Sequence, residues 1–197
     1  MRFERLAIPD VVLIVPDGIG DARGYFREVF RENLFEEAVG PLRRVQENQA
    51  LSREAGTIRG LHFQMEPKAQ GKLVSCDAGA IFDVAVDLRE GSPDYGRHVG
   101  VELAAESGSL LWVPPGFAHG YCTLEPDTKV RYSVTDYYSP EHERGLAFDD
   151  PALGVAWPVA REKAIVSAKD LRQPRLAELG TVFTWRPSAG PLACERG

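Results

Sequence analysis

The sequence predicts an all-β domain, an antiparallel sandwich or barrel with a few short helices. Three observations carry that expectation. Phe82, Val84, Val86 and Leu88 alternate with Ile81, Asp83, Ala85 and Asp87, and Val99, Val101 and Leu103 alternate with Gly100, Glu102 and Ala104. This is the period of two that marks strands with unlike faces. Turn residues recur at short intervals, at Gly56, Gly71, Gly79, Gly91-Ser92-Pro93, Gly108, Pro114-Pro115-Gly116 and Pro126-Asp127, which suits short antiparallel strands. Helical periodicity is scarce, so repeated βαβ units are not expected.

In chain order, strands are expected at Val11–Val15, Arg43–Gln49, Ile58–Gln64, Lys72–Asp77, Ile81–Leu88, Val99–Leu103, Leu110–Val113, Gly120–Leu124 and Lys129–Tyr138. A helix is expected over Arg31–Val39, with Leu34, Phe35 and Ala38 on one side. Ser139-Pro140-Glu141 reads as an N-cap followed by proline at the first helical position of a brief turn. Ser167-Ala168-Lys169-Asp170 fits a capping box opening a short helix, with Asp170 as its carboxylate. Residues 1–180 are expected to form one domain. Residues 181–197, with Pro187, Gly190 and Pro191, are expected to form an irregular tail.

The chain has 197 residues, 44% of them hydrophobic and 26% charged, which excludes disordered and collagen-like classes and is enough for one buried core. A net charge of −6 argues against a nucleic-acid partner, because phosphate binding needs clustered positive charge. No apolar run has the length of a membrane span, and Met1-Arg2-Phe3-Glu4-Arg5 lacks the apolar core of a signal peptide. Cys76, Cys122 and Cys194 are far apart and form no C-x-x-C. That pattern suits neither a disulfide framework nor a zinc ribbon, so a reducing cytoplasm is expected.

Chemistry centres on two of the four histidines. His62 lies in Arg59-Gly60-Leu61-His62-Phe63-Gln64, and His119 closes a Pro-x-Gly-x-x-His pattern over residues 114–119. That pattern resembles the second half-motif of cupins. The first half-motif of metal-binding cupins carries His-x-His, where this chain has His62-Phe63-Gln64. Two histidines without a third good ligand do not make a transition-metal site, so no metal is expected.

More segments then occur in one order: Gln70-Gly71-Lys72-Leu73-Val74, residues 82–89, Gly91-Ser92-Pro93, residues 112–120, Thr135-Asp136-Tyr137-Tyr138, Asp149-Asp150-Pro151 and Ser167-Ala168-Lys169-Asp170. Together, from about Asp21 to Asp170, they closely resemble the dTDP-4-dehydrorhamnose 3,5-epimerase family. The resemblance implies a cupin-like double-stranded β-helix jelly roll, a homodimer, no cofactor, and a dTDP-4-keto-6-deoxy sugar as substrate. It implies epimerisation of dTDP-4-keto-6-deoxyglucose at carbons 3 and 5. Alternatives are a relative that epimerises a single carbon, a metal-dependent cupin oxygenase or isomerase, and a non-catalytic sugar-nucleotide binder.

The residue types suit the chemistry. Both carbons flank a ketone, so a neutral imidazole is a natural base and His62 is the candidate. The resemblance implies Asp170 as the carboxylate behind His62, Tyr132 as the acid on the opposite face, and Lys72 beside the enolate oxygen with help from His119. It implies Asp83 as a nearby polar group that orients Lys72. Arg59 and Lys169 are implied at the pyrophosphate, Tyr138 near the thymidine, and Arg23, Phe26, Glu28, Gln46 and Asn48 at the nucleotide end. The chain departs from the family pattern at Glu47-Asn48-Gln49-Ala50, at Ser75 and at Ser133. Strand parity puts Tyr132 and Tyr138 on one face but opposes Arg59 to His62, so Arg59 needs a bulge or a neighbouring chain to share the site.

Overall fold

The protein is described by a computed structural model over residues 1–186. Strand β1 (Arg2–Arg5) pairs antiparallel with β2 (Val12–Val15), and an exposed hairpin comes next, β3 (Gly18–Asp21) with β4 (Gly24–Arg27). Helix α1 (Glu32–Ala38) leads to β5 (Gln46–Ser52), β6 (Thr57–Gln64), β7 (Lys72–Ala78), β8 (Ala80–Asp87), the short β9 (Arg89–Glu90) and β10 (His98–Ala104). Then come β11 (Leu110–Val113), β12 (Phe117–Thr123), β13 (Thr128–Val134), β14 (Glu143–Gly145), β15 (Ile165–Val166) and β16 (Phe183–Thr184).

Two large sheets result. The first runs β1-β2-β11-β7-β13-β5; the second runs β10-β8-β12-β6-β14, with β15 added parallel to β6. Their inner faces meet in an apolar core that includes Val74, Leu111 and Val130 from the first sheet and Ile81, Ala85 and Leu103 from the second. This face-to-face pairing of mostly antiparallel sheets is the jelly-roll sandwich.

Both outer faces are also covered. Helix α1 lies over the first sheet, where buried Phe35 meets Trp112 edge-on with ring centroids 5.4 Å apart. The C-terminal segment covers the second sheet, packing Leu146, Leu153 and Phe183 against Leu61, Val84 and Val86. Strand β8 is therefore buried on both sides. Asp83 and Asp87, which alternation alone would place at a polar surface, are fully enclosed.

The expected elements shift at their ends. The strand expected from Arg43 begins at Gln46, and the one expected to reach Tyr138 ends at Val134. The tail expected from residue 181 is partly wrong: β16 pairs parallel with β9, and the Phe183 ring lies 5.7 Å from that of Phe63. The rest of that expectation falls outside the described residues. Among the described residues, no helix is long and apolar enough to cross a membrane.

One irregularity positions the site. In the β6–β12 pairing, His119 faces His62 but Tyr121 faces Arg59, so β6 carries one residue more than its partner. This bulge at Gly60 re-aims the strand. Leu61 and Phe63 turn to the outer core, while Arg59 and His62 both reach the space between the sheets. Gly60 has φ +129°, and a Cβ there would stand 2.5 Å from Gly120 Cα, so glycine is required on both counts.

Candidate active site

Between the sheets opens a cavity of about 480 Å³, ample for a small polar ligand. From the second sheet come Arg59, His62 and His119; from the first come Lys72 and Tyr132; Asp170 arrives from the C-terminal segment. A smaller space of about 200 Å³ adjoins it, sharing His62, Lys72 and Tyr132 and adding Gln46, Asn48, Tyr138 and Glu143.

His62 Nε2 donates to Asp170 Oδ1 at 2.7 Å. Asp170 is buried, and burial opposes its ionisation. The hydrogen bond and charge of His62, helped by Gly60 N–H and Ser167, outweigh burial and hold the carboxyl below its ordinary range. An ionised carboxylate only accepts, so Nε2 carries a proton, and in the neutral imidazole the lone pair is on Nδ1. The expected capping box is half formed. Asp170 N–H donates to Ser167 Oγ at 3.0 Å, but the reciprocal bond is missing because the carboxylate turns to His62. The helix expected there is a single 3-10 turn, Asp170–Arg172.

Lys72 is buried and donates from Nζ to the His62 carbonyl at 3.0 Å. Burial lowers its pKa to about 8, against the opposing pull of Asp83 and Glu143. Asp83 does not hydrogen-bond Lys72, contrary to its expected orienting role; it accepts from His119 Nε2 at 2.9 Å instead. Burial lowers the His119 pKa, and the neighbouring Lys72 and His62 add to that, with Asp83 opposing. His119 is thus a neutral imidazole clamped by a buried carboxylate. Burial also raises the Tyr132 pKa, Arg59 opposing, so its phenol keeps its proton.

Arg59 enters the cavity through the bulge, with Nε on Ser52 Oγ at 3.1 Å and Nη2 on the Leu51 carbonyl at 3.0 Å. Lys169 also borders the cavity, but its Nζ is paired with Glu143 Oε2 at 2.6 Å. The Tyr138 hydroxyl donates to the same carboxylate at 2.9 Å. Tyr138 therefore reaches the site, though from the segment after β13 and not by strand parity. Gln46 Nε2 donates to Asn48 Oδ1 at 2.8 Å, and Tyr138 N–H donates to Gln46 Oε1 at 2.9 Å, so the amides and the ring form one wall.

Arg23, Phe26 and Glu28 are not brought to the cavity within one chain. Arg23 and Phe26 sit on the exposed β3–β4 hairpin, Arg23 paired with Asp21 and Phe26 76% exposed, and Glu28 is exposed just beyond it. Glu143 and Tyr121 are among the lining residues that sequence reasoning did not single out. Glu143 lies in a three-residue strand with no periodicity to announce it, and Tyr121 looks like any strand aromatic. Among the described residues, no three His, Cys, Asp or Glu side chains cluster as metal ligands.

Chemically, the cavity offers a base backed by a carboxylate, a protonated phenol from the facing sheet, and a cation beside them. Residues 5–178 match the family model described as dTDP-4-dehydrorhamnose 3,5-epimerase. The chain is 55% identical over 185 residues to the dTDP-4-dehydrorhamnose 3,5-epimerase of Sinorhizobium fredii, covering 94% of each chain. It superposes with a TM-score of 0.88 on the Legionella pneumophila 3,5-epimerase in complex with dTDP-4-keto-L-rhamnose, at 39% identity over 94% of this chain and 98% of that one. A 4-keto-6-deoxy sugar epimerase from the novobiocin gene cluster of Streptomyces spheroides gives a TM-score of 0.89 at 36% identity, over 94% of each chain.

Proposed function

The chain belongs to the dTDP-4-dehydrorhamnose 3,5-epimerase family, and from that premise we propose that it epimerises dTDP-4-keto-6-deoxyglucose at carbons 3 and 5. The ligand of the Legionella protein, dTDP-4-keto-L-rhamnose, is the product of such a reaction. The observation that carries the residue assignment is the His62–Asp170 pair facing the same cavity as Tyr132.

His62 Nδ1 takes the proton from the carbon beside the ketone, and the electron pair moves to the ketone oxygen. Asp170 stabilises the imidazolium that forms. The Lys72 ammonium faces the enolate oxygen, where a buried cation acts more strongly than in water. Tyr132, from the facing sheet, returns a proton to the other side of the carbon, and the configuration inverts. His119, its Nε2 committed to Asp83, supports the same end of the sugar through its other nitrogen.

Arg59 and Lys169 take the diphosphate, and Tyr138, Gln46 and Asn48 border the nucleoside. Arg23, Phe26 and Glu28 complete that end from a second copy of the chain. Support comes from the hairpin that carries the first two, where Ile19 and Phe26 are each 76% exposed; a homodimer would cover them. The buried thiols of Cys76 and Cys122 fit a cytoplasmic home.

The test is incubation of the purified enzyme with dTDP-4-keto-6-deoxyglucose in heavy water. Deuterium at both carbons 3 and 5 of an L-configured product is expected. Deuterium at one carbon would make the chain a single-carbon epimerase, and binding without exchange would make it a non-catalytic binder.

A further inference from the structure

Tyr121 stands in β12 two residues after His119, on the inner face of the strand. Its register partners are Asp83 on β8 and Arg59 on β6. The side chain is 4% exposed and its ring forms part of the cavity wall. Yet its hydroxyl oxygen, itself fully buried, makes no hydrogen bond; among the described residues lining this cavity it is the one fully buried side-chain polar atom without a partner. Ser52, whose Oγ accepts from Arg59 Nε, is close enough to influence the phenol, but no bond of acceptable geometry joins it to Tyr121.

A buried hydroxyl without a partner is costly, and phenylalanine would fill the same volume without that cost. The cost persists beside polar groups that are paired, His62 with Asp170, His119 with Asp83 and Arg59 with Ser52. The unmet partner is therefore an occupant of the cavity. Arg59 is the nearest positive group, and burial keeps the phenol protonated as a donor. A donor beside a guanidinium suits an anionic oxygen.

We propose that the Tyr121 hydroxyl is a further substrate-binding group, which donates to a diphosphate oxygen held by Arg59. The inference rests on the reading of the cavity as a nucleotide-diphosphate site. Tyr121 binds and does no proton transfer, so its loss raises KM and leaves kcat in place.

The experiment compares wild-type protein with Tyr121→Phe. It measures calorimetric affinity for dTDP and for thymidine, steady-state kinetics, and the melting temperature of the free protein. The variant is expected to bind dTDP about tenfold more weakly and thymidine equally well. Its kcat is expected to be unchanged and its melting temperature equal or higher. Equal dTDP affinity, equal weakening toward thymidine, or a lower melting temperature would each overturn the proposal, the last by revealing a partner within the protein. Failure of the wild-type protein to bind dTDP would sink the reading of the cavity as well.

Discussion

In the proposed mechanism the buried ammonium of Lys72 sets a pH limit on the enzyme. Its pKa falls to about 8 in the folded protein, against about 10.4 in an open chain. Between those values the unfolded chain binds the extra proton, so this group makes stability rise with pH across that window. Enolate stabilisation moves the other way, since the ammonium is lost as pH rises through about 8. We predict that kcat/KM falls about tenfold per pH unit above that point while the protein does not lose stability through this group. Lys72→Met should cost about 10²–10³ in kcat and abolish the alkaline limb, which a pH–rate profile of its residual activity checks. At Asp170 the issue is the tautomer. Asn at that position can donate to Nε2 of His62 and drive the proton to Nδ1, where the base is needed. Asp170→Asn is therefore expected to lower kcat by roughly 10⁴, as for other His–Asp pairs, with nucleotide affinity retained.

At the scale of elements, the β6 bulge decides which side chains share the cavity. Simple alternation sets Arg59 and His62 on opposite faces, and one extra residue at Gly60 reverses that. Gly60→Ala would force a Cβ to 2.5 Å from Gly120 Cα at a φ of +129°. It is expected to destabilise by about 2–4 kcal/mol in urea unfolding and to lower activity beyond that loss, because the arginine and the histidine lose their common face. Phe35→Ala in α1 tests packing alone. It should cost about 3–5 kcal/mol, with kcat retained in the folded fraction. The same elements explain what could be read in advance. Strands β8, β10 and β11 were legible because period-two alternation and glycine-rich turns are local signals. The helix at Phe35 was legible for the same kind of reason. The shared face of Arg59 and His62 was not, since a bulge depends on how closely β12 approaches. The bond from His119 to Asp83 was not legible because the two stand across a strand pair, and sequence spacing says nothing about which of two nearby groups wins a carboxylate. Glu143 was missed because its role comes from Tyr138 and Lys169, which reach it from other segments.

Across the whole molecule, the sandwich holds the two halves of the proposed reaction apart. His62 and its carboxylate belong to the second sheet side, while Tyr132 projects from β13 of the first. A sugar lying between the sheets presents one face to each, which is the geometry that inversion requires. The same architecture leaves the β3–β4 hairpin outside the body with Tyr25 63% exposed and Phe26 76% exposed. Sedimentation of the free protein should therefore give a dimer, and Phe26→Asp should shift it toward monomer and weaken nucleotide binding. The most direct test of the central claim is heavy-water exchange of dTDP-4-keto-6-deoxyglucose in two variants side by side. Tyr132→Phe should still wash deuterium into the sugar while forming little inverted product, and His62→Asn should do neither. Normal exchange by the His62 variant, or loss of exchange in the Tyr132 variant equal to that of His62→Asn, would contradict a base and an acid working from opposite sheets.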